Sequence, residues 1–105
     1  MRVLFVCTAN KLRSPTAETL FSGRPGLEVS SAGLDGSAPR VVDASMVEQA
    51  DLVFVMERRH RDRLKKLFPG CAGKLVVLGT PDEYERDQPE LVALLLEKVT
   101  PFLED

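Results

Sequence analysis

The chain reads as an α/β fold: one four-stranded parallel sheet in the order 2-1-3-4, helices on both faces, and an anion-binding loop after the first strand. Three observations predict it. Short apolar runs alternate with longer helix-like segments along the whole chain, the pattern of βαβ units with right-handed crossovers. Gly and Pro cluster at the joints, at Gly23-Arg24-Pro25-Gly26, Gly33 to Pro39, Pro69-Gly70 and Gly79-Thr80-Pro81. The N-terminus passes directly from an apolar run, Val3 to Val6, through Cys7-Thr8-Ala9-Asn10-Lys11-Leu12-Arg13-Ser14 into Pro15-Thr16-Ala17-Glu18.

The strands fall at Val3–Cys7, Leu27–Ser31, Leu52–Met56 and Leu75–Leu78, and the helices at about 15–23, 41–50, 57–68 and 88–104. Each strand is a four- or five-residue run, which suits burial on both faces of a parallel sheet. Ser14 and Pro15 favour a helix start, with Ser just before it and Pro at its first position. No repeat, low-complexity tract or linker interrupts the pattern, so residues 1–105 form one domain. Ligands in such sheets sit beyond the carboxyl ends of the strands. That edge gathers Cys7–Ser14, Ser31-Ala32-Gly33, Met56-Glu57 and Gly79–Asp87.

The composition bounds the function. With 105 residues, 44% of them apolar and 29% charged, the chain can bury a single core. Its net charge of −2 argues against nucleic-acid binding through overall charge. No run approaches the ~20 apolar residues of a membrane span, and the first apolar stretch is too short for a secretory signal. Two cysteines make no disulfide framework. A working thiolate needs a reducing compartment, and the cytoplasm is the expected location.

The loop after the first strand carries the chemistry. A chain that closes between a strand and a helix turns backbone N–H groups inward and sets the positive helix end at its mouth. Arg13 adds a planar fork suited to a tetrahedral oxyanion. In the same field Cys7 is expected to be a thiolate nucleophile. The Cys-x5-Arg spacing is weak alone; the strand before it and the helix after it give it meaning. Cys71 precedes the fourth strand, at the amino edge, a strand length (~17 Å) from Cys7. A disulfide needs Cα atoms about 4.4–6.8 Å apart, so Cys71 reads as a packing residue.

With strand, loop and helix together, the N-terminus resembles the low-molecular-weight protein tyrosine phosphatases. Cys7, Asn10, Arg13, Ser14 and Pro15 match that family's signature loop, and Ala17-Glu18 continue it. Ser31-Ala32-Gly33 is similar to its Ser-Ala-Gly segment, and Ala50 to Met56 to its third strand. Pro81-Asp82, followed by Tyr84, resembles the loop of its general acid. Four differences stand out: Ala9 replaces a usual glycine, Leu12 a frequent second cysteine, and Glu83 a usual proline. The chain is also shorter, the loss falling between Gly33 and Ala50, where the family carries an aromatic specificity loop.

The resemblance implies hydrolysis of a phosphomonoester, foremost protein phosphotyrosine, through a cysteinyl-phosphate, with no metal and no cofactor. Cys7 is then the nucleophile, and the backbone of Thr8, Ala9, Asn10, Lys11, Leu12 and Arg13 binds phosphate with the Arg13 guanidinium. Ser14 donates to the sulfur, Asn10 takes the left-handed turn and ties the loop to Ser31, and Asp82 is the general acid. Tyr84 would wall the pocket and stack on an aryl ester. Lys11 stands at the rim, Glu85 is solvated, and Asp87 is expected to cap the last helix. The partner is a phosphorylated protein or a small phosphomonoester, and the chain a monomer or weak dimer.

Two rivals are an arsenate reductase on the same loop and a phosphate-binding module without turnover. The reductase would need further cysteines near Glu57 and Leu64, and neither position has one. A phosphatase of nucleotide or RNA phosphates is a third reading. Six cations between Arg58 and Lys66 read first as a solvated face and second as a docking patch for phosphorylated protein or RNA. His60 shares helical spacing with Leu64 and Leu67 and is expected at the core margin. The apolar last helix is explained by packing before dimer contact.

Overall fold

A computed structural model describes residues 1–81 and 83–103. Its strands are β1 (Arg2–Cys7), β2 (Glu28–Gly33), β3 (Leu52–Val55) and β4 (Leu75–Val77). All pair in parallel, in the order β2-β1-β3-β4, as the alternation predicts. The helices are α1 (Arg13–Phe21), α2 (Ala44–Gln49), α3 (Arg58–Leu67) and α4 (Pro89–Leu103), and a 3-10 helix, Pro69–Lys74, leads into β4.

β1 is one of the two inner strands, and its period-two alternation sends side chains to both faces. Val3, Phe5 and Cys7 join Phe21, Phe54, Leu91, Leu95 and Val99 beneath α1 and α4. Leu4 and Val6 join Val47, Val53, Val55 and Leu64 beneath α2 and α3. The first face is the aromatic one. Phe21, Phe5 and Phe54 stack with ring centroids 5.8 and 5.2 Å apart, and Phe102 meets Phe54 edge-on at 5.6 Å. Such pairs add about 0.5–1.5 kcal/mol each beyond the area they bury. Cys7 therefore ends a strand whose residues 3–7 are all buried.

Three of the departures from the expected element boundaries have a readable cause. α1 starts at Arg13, so Pro15 is its third residue. The first intrahelical bond runs from Thr16 N to the Leu12 carbonyl at 3.1 Å. The N–H that Pro15 lacks would have had no helical partner, so proline fits anywhere in this first turn. α2 is shorter than 41–50 because Asp43 caps it, its carboxylate accepting from Met46 N at 2.8 Å. Asp87 does not cap α4. Pro89 takes the first helical position, and the Gln88 carbonyl accepts from Val92 N at 3.0 Å, so the cap position falls on Gln88.

The connection from β2 to α2 is compact. Gly33 N donates to the Arg40 carbonyl at 2.8 Å and Val42 N to the Gly33 carbonyl at 2.9 Å. Between them Asp35 accepts from Ser37 N and Ser37 Oγ at 3.0 and 3.1 Å, closing a side-chain turn. Among the described residues no helix is long and apolar enough to cross a membrane.

Candidate active site

The loop from Cys7 to Arg13 lies at the carboxyl end of β1, where the crossover rule places it. Its carbonyls are tied back to the chain leaving β2: Leu34 N donates to Cys7 O at 3.0 Å and Asp35 N to Thr8 O at 2.9 Å. Asn10 takes the turn with φ of 53°, a left-handed conformation that asparagine tolerates better than most residues. Gly33 is pressed beneath the loop. A Cβ there would stand 2.7 Å from Ala38 Cβ, 2.8 Å from Thr8 O and 3.0 Å from Asn10 N. Glycine is required by this close approach of two backbones.

The buried polar groups form a chain whose donor directions can be read in order. Asn10 Nδ2 donates to Ser14 Oγ at 2.9 Å and to Ser31 Oγ at 3.0 Å. Ser31 Oγ donates to Glu18 Oε1 at 2.7 Å. The Ser14 oxygen accepts from Asn10, and its one proton has two acceptors: Cys7 Sγ at 3.0 Å and Ala32 O at 3.4 Å. The shorter contact is the one to the sulfur. The expected tie from Asn10 to Ser31 is present, and so is the contact of Ser14 with the sulfur. Glu18, one helical turn beyond Ser14, was not anticipated in this role; the i, i+4 spacing was the available signal.

Arg13 is only 2% exposed and is held by two strand ends. Its Nη1 donates to Thr80 O, beyond β4, at 2.9 Å and lies 3.5 Å from Glu57 Oε1, beyond β3. Burial works against the Glu57 carboxylate. A hydrogen bond from Arg59 and the charges of Arg13 and Arg59 outweigh it and hold the Glu57 pKa below its ordinary value. The sheet-edge rule placed Glu57 at this site but not its pairing with Arg13.

His60 departs from expectation. It is 2% exposed and reaches the loop, with Nε2 2.9 Å from Thr8 Oγ1. Glu57 N donates to its Nδ1 at 3.0 Å, so the ring proton sits on Nε2 and Thr8 Oγ1 accepts it. His60 and Glu57 thereby close the capping box of α3 and fasten that helix start to the loop. No spacing rule pairs residue 8 with residue 60.

A cleft of about 300 Å³ opens above the loop, lined by Cys7 and Arg13 with Lys11 and, from α3, Arg59 at its rim. Asp82 lies outside the described residues. Tyr84 is half-buried and packs against the aromatic face under α1 and α4; it does not line that cleft among the described residues. Asp87 N donates to Thr16 Oγ1 at 3.0 Å, with φ of 60°. Cys71 is buried beside α3, its thiol 3.8 Å from Leu64 O, and burial pushes its pKa up. Among the described residues no group of three or more His, Cys, Asp or Glu could hold a metal ion.

A sulfur at the floor of an arginine-lined loop, at the carboxyl edge of a 2-1-3-4 sheet, defines a cysteine-dependent phosphatase. The family model for low molecular weight phosphotyrosine protein phosphatase matches residues 2–39, from β1 through the turn after β2. The low molecular weight protein-tyrosine-phosphatase Wzb of Salmonella typhimurium is 33% identical, with 92% of this chain and 87% of Wzb covered. That alignment spans 130 positions, more than the 105 residues present here. The YwlE arginine phosphatase of Geobacillus stearothermophilus superposes with a TM-score of 0.77 at 25% identity, covering 97% of this chain and 92% of YwlE. Wzb of Escherichia coli K30, in complex with phosphate, superposes at 0.80 with 23% identity, covering 96% and 94%. The chain belongs to the low molecular weight phosphotyrosine protein phosphatase family.

Proposed function

We propose that this chain hydrolyses phosphotyrosine in proteins, with Cys7 as nucleophile and Asp82 as general acid. The observation that carries the reading is the 3.0 Å contact between Cys7 Sγ and Ser14 Oγ at the floor of a cleft lined by Arg13. The Cys7 thiolate attacks phosphorus. The P–S bond forms as the ester P–O bond breaks, and Asp82 gives its proton to the leaving phenolate. Water then attacks the cysteinyl-phosphate, Asp82 takes a proton from it, and the P–S bond breaks to release phosphate.

The charge that develops on the equatorial oxygens falls on the loop amides of residues 8–13 and on Arg13. Arg13 cannot swing away, because Thr80 O and Glu57 hold it from two sides. That preorganisation removes a reorganisation cost from each turnover. Ser14 Oγ stabilises the sulfur both as nucleophile and as leaving group. A carboxyl in the Asp82 role is typically worth ~10²–10⁴ in rate. Chemistry at a free thiolate suits the reducing cytoplasm.

The test is one assay series. The protein should hydrolyse para-nitrophenyl phosphate without added metal, and Cys7→Ser should lower kcat by at least about 10³-fold. Retained turnover in Cys7→Ser would remove the nucleophile assignment. In the same series Asp82→Ala should slow esters with poor leaving groups more than activated ones, whereas equal losses would remove the acid assignment. Phosphotyrosyl and phosphoarginyl peptides run side by side distinguish the substrate named for Wzb from that named for YwlE.

A further inference from the structure

A second cleft, of about 420 Å³, lies beside the first and shares Thr8 and Arg59 with it. Its walls are the turn after β2, with Asp35 and Gly36, and the face of α3 that carries Arg59 and Arg63 one helical turn apart. Two arginines face one carboxylate in its lining. Arg59 is bound by Glu57, and His60 is held between Glu57 N and Thr8. The Asp35 carboxylate accepts from Ser37, which lowers its pKa and keeps it ionised, and it lies in the field of Lys11. Among the described residues the Arg63 side chain has no hydrogen-bond or ion-pair partner. It is the surplus cation, exposed on a cleft continuous with the phosphate site.

We infer that this cleft is a subsite for a second anionic group on the substrate: the carboxylate of an acidic residue flanking the phosphorylated one. The inference rests on the phosphatase reading above. The two clefts share Thr8 and Arg59, so a group extending from a phosphate over Cys7 across that edge would meet the planar donor fork of Arg63. A single carboxylate fits better than a run of nucleic-acid phosphates. Asp35 places a negative charge on one wall, and the chain as a whole carries −2. Two of the six cations of α3 thus serve the site, while the others remain a solvated face.

The experiment compares two phosphotyrosyl peptides that differ only in Glu or Gln beside the phosphotyrosine, tried on each side. Binding is measured by fluorescence polarisation to the Cys7→Ser variant, and turnover with the unmodified protein. The Glu peptide should bind about two- to fivefold tighter, the range of an exposed ion pair, and the advantage should shrink with added salt. Arg63→Ala should erase the preference, and Arg63→Lys should keep part of it. Neither change should alter kcat for para-nitrophenyl phosphate, which is too small to reach the second cleft. Equal binding of both peptides, binding of neither, or a preference that survives Arg63→Ala overturns the subsite. Tighter, Arg63-dependent binding of a 5′-phosphorylated oligoribonucleotide than of the Glu peptide overturns it in favour of nucleic acid. Failure of the unmodified protein to hydrolyse para-nitrophenyl phosphate would instead strike the phosphatase reading, and the peptide comparison in Cys7→Ser is scored independently of it.

Discussion

The wall of the phosphate cleft built by α1 and β2 differs in kind from the wall built by α3. On the first, Asn10, Ser14 and Ser31 are all buried and bonded in a line that runs from Glu18 to the sulfur. On the second, Glu57 and Arg59 are partly or wholly exposed, and charge pairing outweighs burial there. The difference separates two tasks. The buried wall fixes where the reacting atoms sit, and a neutral network suits it because each member has a partner. The charged wall holds Arg13 and presents cations to solvent, where screening makes each contact modest and selective.

Three substitutions test that division. Gly33→Ala should have the largest effect, because the new methyl meets Thr8 O and Asn10 N, both backbone atoms that cannot rotate aside. Displacing the loop by a fraction of an ångström to 1 Å should lower kcat/KM on the order of 10²-fold. Activity within a few-fold of normal would show that the loop gives way easily. Ser14→Ala should come next, with kcat falling about tenfold and substrate binding nearly unchanged, since the hydroxyl touches the sulfur. A loss confined to KM would place Ser14 in substrate binding.

Glu57→Gln should be the smallest and should act on stability. At neutral pH it should cost about 1 kcal/mol in chemical denaturation, the scale of a weakened helix cap. The sign of its pH dependence follows from the lowered pKa. The ionised carboxylate stabilises the fold above its ordinary value of 4.5, and that contribution disappears as pH falls through the lower, folded value. The gap between Glu57→Gln and the unmodified protein should therefore close in acid. A constant gap from neutral to strongly acid pH would mean that the charge is irrelevant. A kcat loss matching that of Ser14→Ala would mean that the walls are not separable.

Local pattern explains what the sequence revealed and tertiary approach explains what it withheld. β1, the loop and α1 are legible because alternation, loop length and a first-turn proline all act within twenty residues. The sheet order follows from connections and handedness. Asn10, Ser14 and Ser31 were within reach through the family resemblance. Glu57 on Arg13 and His60 on Thr8 were not, since each pair spans more than forty residues and depends on how α3 docks. Asp87 missed the cap of α4 by one residue because Pro89 set the helix start.

Arg40 links the connection between β2 and α2 to the chemistry of the site. Its carbonyl receives Gly33 N, and its guanidinium lies 3.5 Å from Glu18 Oε2, the far end of the line that reaches the sulfur. Anyone grafting a longer loop onto this scaffold therefore has a rule to follow. Extra residues belong at the tip around Gly36, where an added Cβ meets nothing within 4 Å, while the base at Arg40 must be kept as a hinge pin for the catalytic line.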